Sequence, residues 1–297
     1  MSVYKRNRSL VIPFIGPALI LYLLFFIYPT VRGFQYSMLD WSGFTQNPEF
    51  IGFKNFIEIF HDNYFWSTLY KTSIIVVLGG VFIFGIAFIF VILLNSGIRG
   101  KSFFRAVIFI PNVIAPVALT TLWGFILNYR FGLVNSFLTA IGLGAYVQTW
   151  MGPDFVFWSM LVMIIWTYVG FYMVILLSAI AKIPNELYEV AHIEGANPVQ
   201  MFFRITVPLI WDVLTIGIVY WGIFSLKMFE IVYSFTGFVP KADIWTMSVY
   251  IYVMGFGKIN PIYRLGYATA ISLILLILVM IFVIVSRFVL KRDRIEY

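Results

Sequence analysis

Long apolar runs separated by short polar stretches dominate this chain. Six runs reach the roughly 20 residues needed to cross a hydrocarbon core: residues 10–29, 73–95, 106–128, 155–181, 205–226 and 265–286. Only the fifth holds a charged residue, Asp212, set toward its end. Backbone facing lipid must satisfy its own hydrogen bonds, so each run is expected to be a helix. Pro111 and Pro116 both lack a donor, which predicts a kink or local opening in the third run. In the polar stretch 30–72, Phe53, Phe56, Ile57 and Phe60 recur at helical spacing, with Lys54, Glu58 and Asp62 off that face. This predicts a short amphipathic helix, resting in the outer interface or packed on the bundle. Residues 231–263 are too polar and too broken by glycine and proline for a seventh span; a short re-entrant or surface helix near 245–254 is expected.

The polar insert at 183–208, IPNELYEVAHIEGANPVQMFFRITVP, follows a different pattern. Pro184 suits the first position of a helix, and Glu186 and Glu189 then lie near the positive end of its dipole. Gly195 should stop this helix, since glycine accepts the left-handed backbone at a C-terminal cap. Asn197, Pro198 and Gln200 read as an N-cap, first position and third position of a second helix, a capping-box pattern. Two short helices joined at Gly195–Asn197 make an ordered handle, and ordered loops of this length usually carry function.

Composition fits the pattern: 62% of residues are hydrophobic and 11% charged, against about a quarter charged in soluble domains. The net charge of +7 does not point to nucleic acid, because it follows the span ends. With the N-terminus in the cytoplasm, Lys5, Arg6, Arg8, Arg99, Lys101, Arg105, Lys182, Arg204, Arg287, Lys291, Arg292 and Arg294 all fall inside. The remaining basic residues are spread over longer outer loops, so the positive-inside rule places both termini in the cytoplasm. The first run is too long for a signal-peptide core and reads as a retained anchor. The chain has no cysteine, which excludes disulfides and thiol nucleophiles. Gly100-Lys101-Ser102 resembles the end of a phosphate-binding loop, but Asn95 stands where the first glycine belongs and no strand precedes it. His61 and His192 fall on opposite sides of the membrane. No Ser/His/Asp set or paired intramembrane carboxylates suggest catalysis, so no enzyme and no cofactor is expected.

The spacing Glu189-x-Ala191-x3-Gly195-x9-Ile205-x2-Pro208 resembles the signature loop of binding-protein-dependent ABC importer permeases, whose usual form is EAA, three residues, G, nine residues, I, any residue, L, P. Val190 replaces the middle alanine and Val207 the leucine. IPNELYE before it and GA within it fit the carbohydrate branch, of maltose and glycerol-3-phosphate type. FFRAVIFIPNVIAPV, LWGFILNYRFGLVN, MFEIVYSFTGFVP and LGYATAIS look like further blocks of that family, in order, extending the resemblance over residues 51–286. The family's glycine-rich outer turn, TGGGP, is here Thr236-Gly-Phe-Val-Pro240.

The resemblance implies an all-α membrane protein with six transmembrane helices, cytoplasmic termini and a helix-turn-helix coupling loop (183–208) between helices 4 and 5. Residues 1–72 would be an anchor helix and outer loop with an interfacial helix, and 73–297 the permease core. The coupling helix would span 185–194. Glu189 would pair with a basic ATPase residue, with Glu186 and Glu194 nearby; Ala191 and Ala196 would permit close approach, Gly195 the turn, and Pro208 would close the loop. Tyr168, Phe171, Phe224, Ser225 and Met228 match positions near the family's sugar path. The implied protein sits in the cytoplasmic membrane as a multi-pass subunit of an ATP-driven importer for a sugar or oligosaccharide. Its partners would be a homologous permease subunit (a heterodimer), two cytosolic ATPase subunits and an extracytoplasmic binding protein. An importer of the same type for glycerol phosphate or peptide is the main alternative. A secondary transporter would need intramembrane ionisable groups, which are scarce here.

Overall fold

The computed structural model describes residues 3–95, 98–235, 244–257 and 263–292. α1 (Val3–Tyr22) passes through a π turn, Leu23–Ile27, into α2 (Tyr28–Tyr36), making Pro13–Tyr36 one apolar helix. A two-residue antiparallel ladder follows, β1 (Leu39–Asp40) with β2 (Glu49–Phe50), pairing Leu39 with Phe50. α3 (Lys54–His61) turns at Asp62 into α4 (Asn63–Ile74), which runs through a π turn, Ile75–Gly79, into α5 (Gly80–Asn95). The helix Asn63–Asn95 therefore starts well before the apolar run at 73; Tyr64, Trp66 and Tyr70, apolar in body and polar at the tip, are exposed on this added stretch.

The third run is not a single kinked helix. α6 (Lys101–Val113) and α7 (Pro116–Ile126) meet at 101°. The break falls at Ile114–Ala115, with Pro116 in the first turn of α7, where its missing N–H leaves no bond unmade. α8 (Leu133–Ala140) is short, and α9 (Val156–Ile180) is the most buried of the four long apolar helices. The insert contains α10 (Asn185–Ile193), α11 (Pro198–Met201), a π turn at Phe202–Thr206 and α12 (Val207–Leu209). It meets α13 (Trp211–Leu226) at 74°, so the fifth run is also broken, at Ile210. α14 (Glu230–Phe235), α15 (Met247–Phe256) and α16 (Leu265–Val289) complete the order. Among the described residues, four helices are long and apolar enough to cross a membrane, or up to six if each bent pair is one span. The outer helix expected near 245–254 is α15. Thr236–Pro240 lies outside the described residues.

Contacts gather into two compact units. One joins residues 1–65 with 250–276. In it the Asp62 carboxylate accepts hydrogen bonds from the phenols of Tyr250 and Tyr267 and from the Tyr64 N–H. Glu58 and Arg264 form a bidentate pair with both contacts at 2.6 Å. That pairing raises the Arg264 guanidinium above its usual range, against the lowering effect of burial. Asn55 reaches inward and donates to the carbonyls of Ser37 and Leu39, at 2.8 and 3.1 Å, beside buried Ile59. The apolar stripe of α3 faces out: Phe53, Ile57 and Phe60 are exposed and Phe56 is half-buried. α3 is held by its polar face because an amide can satisfy two strand-end carbonyls that no apolar side chain could.

The other unit joins residues 66–249 with 277–297. α9 is its hub, with Met160, Met163, Ile164 and Met173 fully buried. α6 crosses α9 so closely at Gly170 that an added Cβ would lie 2.1 Å from the carbonyl oxygen of Ile108. Alanine would gain about 1 kcal/mol in helix propensity, but overpacking costs about 1–3 kcal/mol and this contact is with rigid backbone. Gly170→Ala is therefore expected to lower the thermal-unfolding midpoint of the purified permease. The Trp221 ring rests on Gly79 and Gly80 and donates to the Val76 carbonyl at 2.9 Å, pinning α13 to the long helix.

Candidate coupling insert and substrate cavity

Local chemistry shapes the insert. Pro184 lies just before α10, at its N-cap rather than its first turn, and Asn185 begins the helix. Gly195 adopts φ +79°, where a Cβ would be strained. The Ala196 N–H then bonds the Ala191 carbonyl at 2.9 Å and the Gly195 N–H bonds that of His192 at 3.0 Å. These two bonds form a Schellman ending, which satisfies carbonyls the helix leaves free. Two residues later the Asn197 side chain accepts from the Gln200 N–H at 2.8 Å, and the Gln200 side chain accepts from the Asn197 N–H at 3.0 Å. Both bonds of the expected capping box are thus made. Tyr188 and Thr206 meet through their hydroxyls at 2.9 Å, tying the first arm of the insert to the last.

Of the residues marked in the insert, Ala191 alone is buried. Glu186, Glu189, Glu194 and Gly195 are exposed, while Ala196 and Pro208 are half-buried. Leu187, Val190 and Ile193 are exposed too, Ile193 at 85%, and fall three apart along one line of α10. Helical spacing alone would group Leu187 and Val190 with Ala191; burial separates them, with Ala191 turned inward and an apolar ridge outward. That ridge, flanked by Glu186 and Glu189, can seat in an apolar groove rimmed with positive charge.

At the other end of α13 lies a cavity of about 450 Å³. Tyr168, Tyr220 and Phe224 line it together with Met228, and Lys227 and Glu230 add opposite charges to its wall. Tyr168 and Phe224 meet edge-on with ring centroids 5.1 Å apart, and Tyr220 stacks parallel to Phe224 at 6.3 Å. Phe171 sits behind this wall, against Tyr220 and Tyr172. Ser225 is fully buried, its hydroxyl donating to the Trp221 carbonyl at 2.7 Å, and it does not line the cavity. Three of the five pathway residues are therefore brought together, one supports them, and one is absorbed by its own helix. Lys227 and Glu230 reach the wall because α13 ends in a turn at Lys227. Asp212 is exposed in the first turn of α13, at the break rather than in mid-span.

No family model matches the chain. It is 35% identical over 279 residues to the probable ABC transporter permease protein YurN of Bacillus subtilis (strain 168), covering 92% of this chain and 93% of that protein. It is 29% identical over 281 residues to the diacetylchitobiose uptake system permease protein NgcF of Streptomyces coelicolor, covering 91% and 78%. By structure it matches a chain of a bacterial ABC transporter involved in the import of the acidic polysaccharide alginate, with a TM-score of 0.80, 23% identity and 96% of both chains covered. The fold is thus that of an ABC importer subunit, and the extent of identity with YurN settles the lineage: this chain belongs to the multi-pass membrane permeases of ABC transporters.

Proposed function

We propose that this permease carries a sugar or oligosaccharide inward through the cavity at the end of α13, driven by ATP hydrolysed in partner subunits. The observation that carries this reading is the wall formed by Tyr168, Tyr220 and Phe224. Aromatic faces with a few convergent polar groups suit sugar rings, which are apolar on their faces and hydroxylated at their edges. The uptake named for the diacetylchitobiose relative supports the same class of solute. In this reading the bent pairs α6–α7 and α12–α13 are each one broken span. The chain then has six spans with both termini in the cytoplasm, and residues 73–297 form the permease core after an N-terminal anchor.

The insert at 183–208 is then the coupling element. α10 docks its ridge on a cytosolic ATPase subunit, and motion there switches the cavity between inward and outward access. Half a pathway per chain implies a homologous second permease subunit, two ATPase subunits and an extracytoplasmic binding protein. Phe224→Ala is expected to weaken uptake of labelled oligosaccharide by the assembled transporter at least about tenfold, given about 1.5–3 kcal/mol for a buried large apolar side chain. Ser225→Ala should leave uptake within about twofold, because losing one net hydrogen bond within a helix is worth about 0.5–1.5 kcal/mol of stability and no cavity contact. Wild-type uptake in Phe224→Ala would remove the cavity from the pathway.

A second reading rests on Lys227, whose cation on the wall suits a phosphate ester such as glycerol phosphate. Uptake of each labelled solute in Lys227→Gln separates the two. Sugar import would persist, whereas phosphate-ester import would be abolished.

A further inference from the structure

We infer that the corner between α5 and α6 holds an anionic phospholipid. Three cavities meet there. A small pocket of about 150 Å³ is lined by Asn95, Lys101, Ser102 and Arg105, with Leu177 and Ala181 beneath. Lys101 and Arg105 lie four apart on one face of α6. Both are exposed, and among the described residues neither has an acidic or hydrogen-bonded partner.

Two apolar cavities open from this basic pocket. One, of about 560 Å³, shares Asn95 and runs between Phe88 and Ile92 of α5 and Val199 and Phe203 of the insert. The other, of about 310 Å³, shares Ser102 and Arg105 and follows Ala106, Phe109 and Val174 down the α6–α9 groove. Both volumes fall in the range of about 300–1,000 Å³ typical of ligand sites.

A soluble anion would fill the basic pocket and leave both apolar cavities to water. An apolar partner helix would cover the cavities but face two uncompensated cations. A phospholipid answers both features, with its phosphate between Lys101 and Arg105 and one chain in each groove. Basic pockets between spanning helices on the cytoplasmic side suit such headgroups, and this inference rests on the cytoplasmic placement of the α5–α6 turn proposed above. One chain would then bear on Val199 and Phe203, so the charge of the lipid would reach the coupling insert.

The test is phospholipid retained by the purified transporter complex after exchange into an equimolar mixture of phosphatidylglycerol and phosphatidylcholine, quantified by mass spectrometry. The complex is expected to retain phosphatidylglycerol with a preference of about 30-fold, from two basic contacts near the headgroup. Lys101→Ala/Arg105→Ala should abolish the preference. Ile92→Trp, which narrows the larger groove and spares both cations, should lower the total retained while keeping the preference. A preference that survives loss of both cations overturns the inference, as does release of the lipid by inorganic phosphate, which would mark a site for soluble anions. Retention is read without transport, so neither result bears on the importer reading.

Discussion

Glu189→Lys in the assembled transporter is expected to cut uptake at least about 30-fold while ATP hydrolysis by the partner subunits continues without tight linkage to it. Glu189 is exposed on α10 and, among the described residues, has no partner within the chain. Reversing its charge therefore leaves the permease fold intact. Once docked, the carboxylate would be desolvated beside the apolar ridge of Val190 and Ile193 and held by a basic group. Breaking such a pair costs about 2–5 kcal/mol, and about 1.4 kcal/mol is tenfold in docking equilibrium. Glu186→Lys is the internal control. Glu186 lies in the first turn of the same helix, where a misplaced cation costs about 0.3–1 kcal/mol through the dipole, so its effect should be several-fold smaller. Uptake and ATP hydrolysis measured together in proteoliposomes decide this, and unchanged coupling in Glu189→Lys would falsify the docking role.

The insert was the most legible part of this chain because its shape is set by local chemistry. Gly195 is followed by Asn197, Pro198 and Gln200, and each acts within a few residues of itself. Tertiary contacts have little to override there. The long spans were legible for a related reason, since a charge-free run in lipid has few alternatives to helix. Their ends were not. Pro111 and Pro116 promised a kink or a local opening, and only the surroundings select the 101° break observed. At the other break, Pro208 marked the end of the insert two residues before Ile210, but the apolar run at 205–226 continued through it.

The substrate cavity shows where one-dimensional reading stops. Tyr168 and Phe224 carry the same signal in the sequence as Phe171, yet two line the wall and one stands behind it. Helical phase alone cannot separate neighbours on α9 that differ by three positions, because both face the same partner helix. Ser225 looked suitable as a sugar contact, but a serine in an apolar helix can satisfy itself on the preceding turn, and it does. α3 carries a contact that its stripe did not announce, for the opposite reason. Its apolar stripe was read correctly, but the amide of Asn55 met carbonyls contributed by residues 16 and 18 positions away. Such non-local demands for hydrogen bonds leave no local trace.

The unit that holds α3 gives the largest stability effect expected. Asp62→Ala should destabilise the permease by about 1–3 kcal/mol, since the two phenols lose their shared acceptor and keep the hydrogen bond they make to each other. Tyr250 and Tyr267 are 1% and 3% exposed, and both donate to the one carboxylate oxygen Oδ2. Water entering beside half-exposed Asp62 can partly replace the carboxylate, which favours the lower half of that range. The triple variant Asp62→Ala/Tyr250→Phe/Tyr267→Phe should be more stable than Asp62→Ala alone, because no buried hydroxyl is then left without an acceptor. If the loss instead came from shape, the triple variant would be no better than the single one. Burial first, and then the bond to Asp62, push the Tyr250 phenol above its ordinary value of 10.0. A group whose folded value is raised contributes fully below its unfolded value and progressively less above it. The stabilisation by this clamp should therefore hold constant to about pH 10 and fall beyond that. Asp62→Ala should weaken this alkaline dependence without abolishing it, since burial still raises the phenol, read from thermal-unfolding midpoints across the pH series.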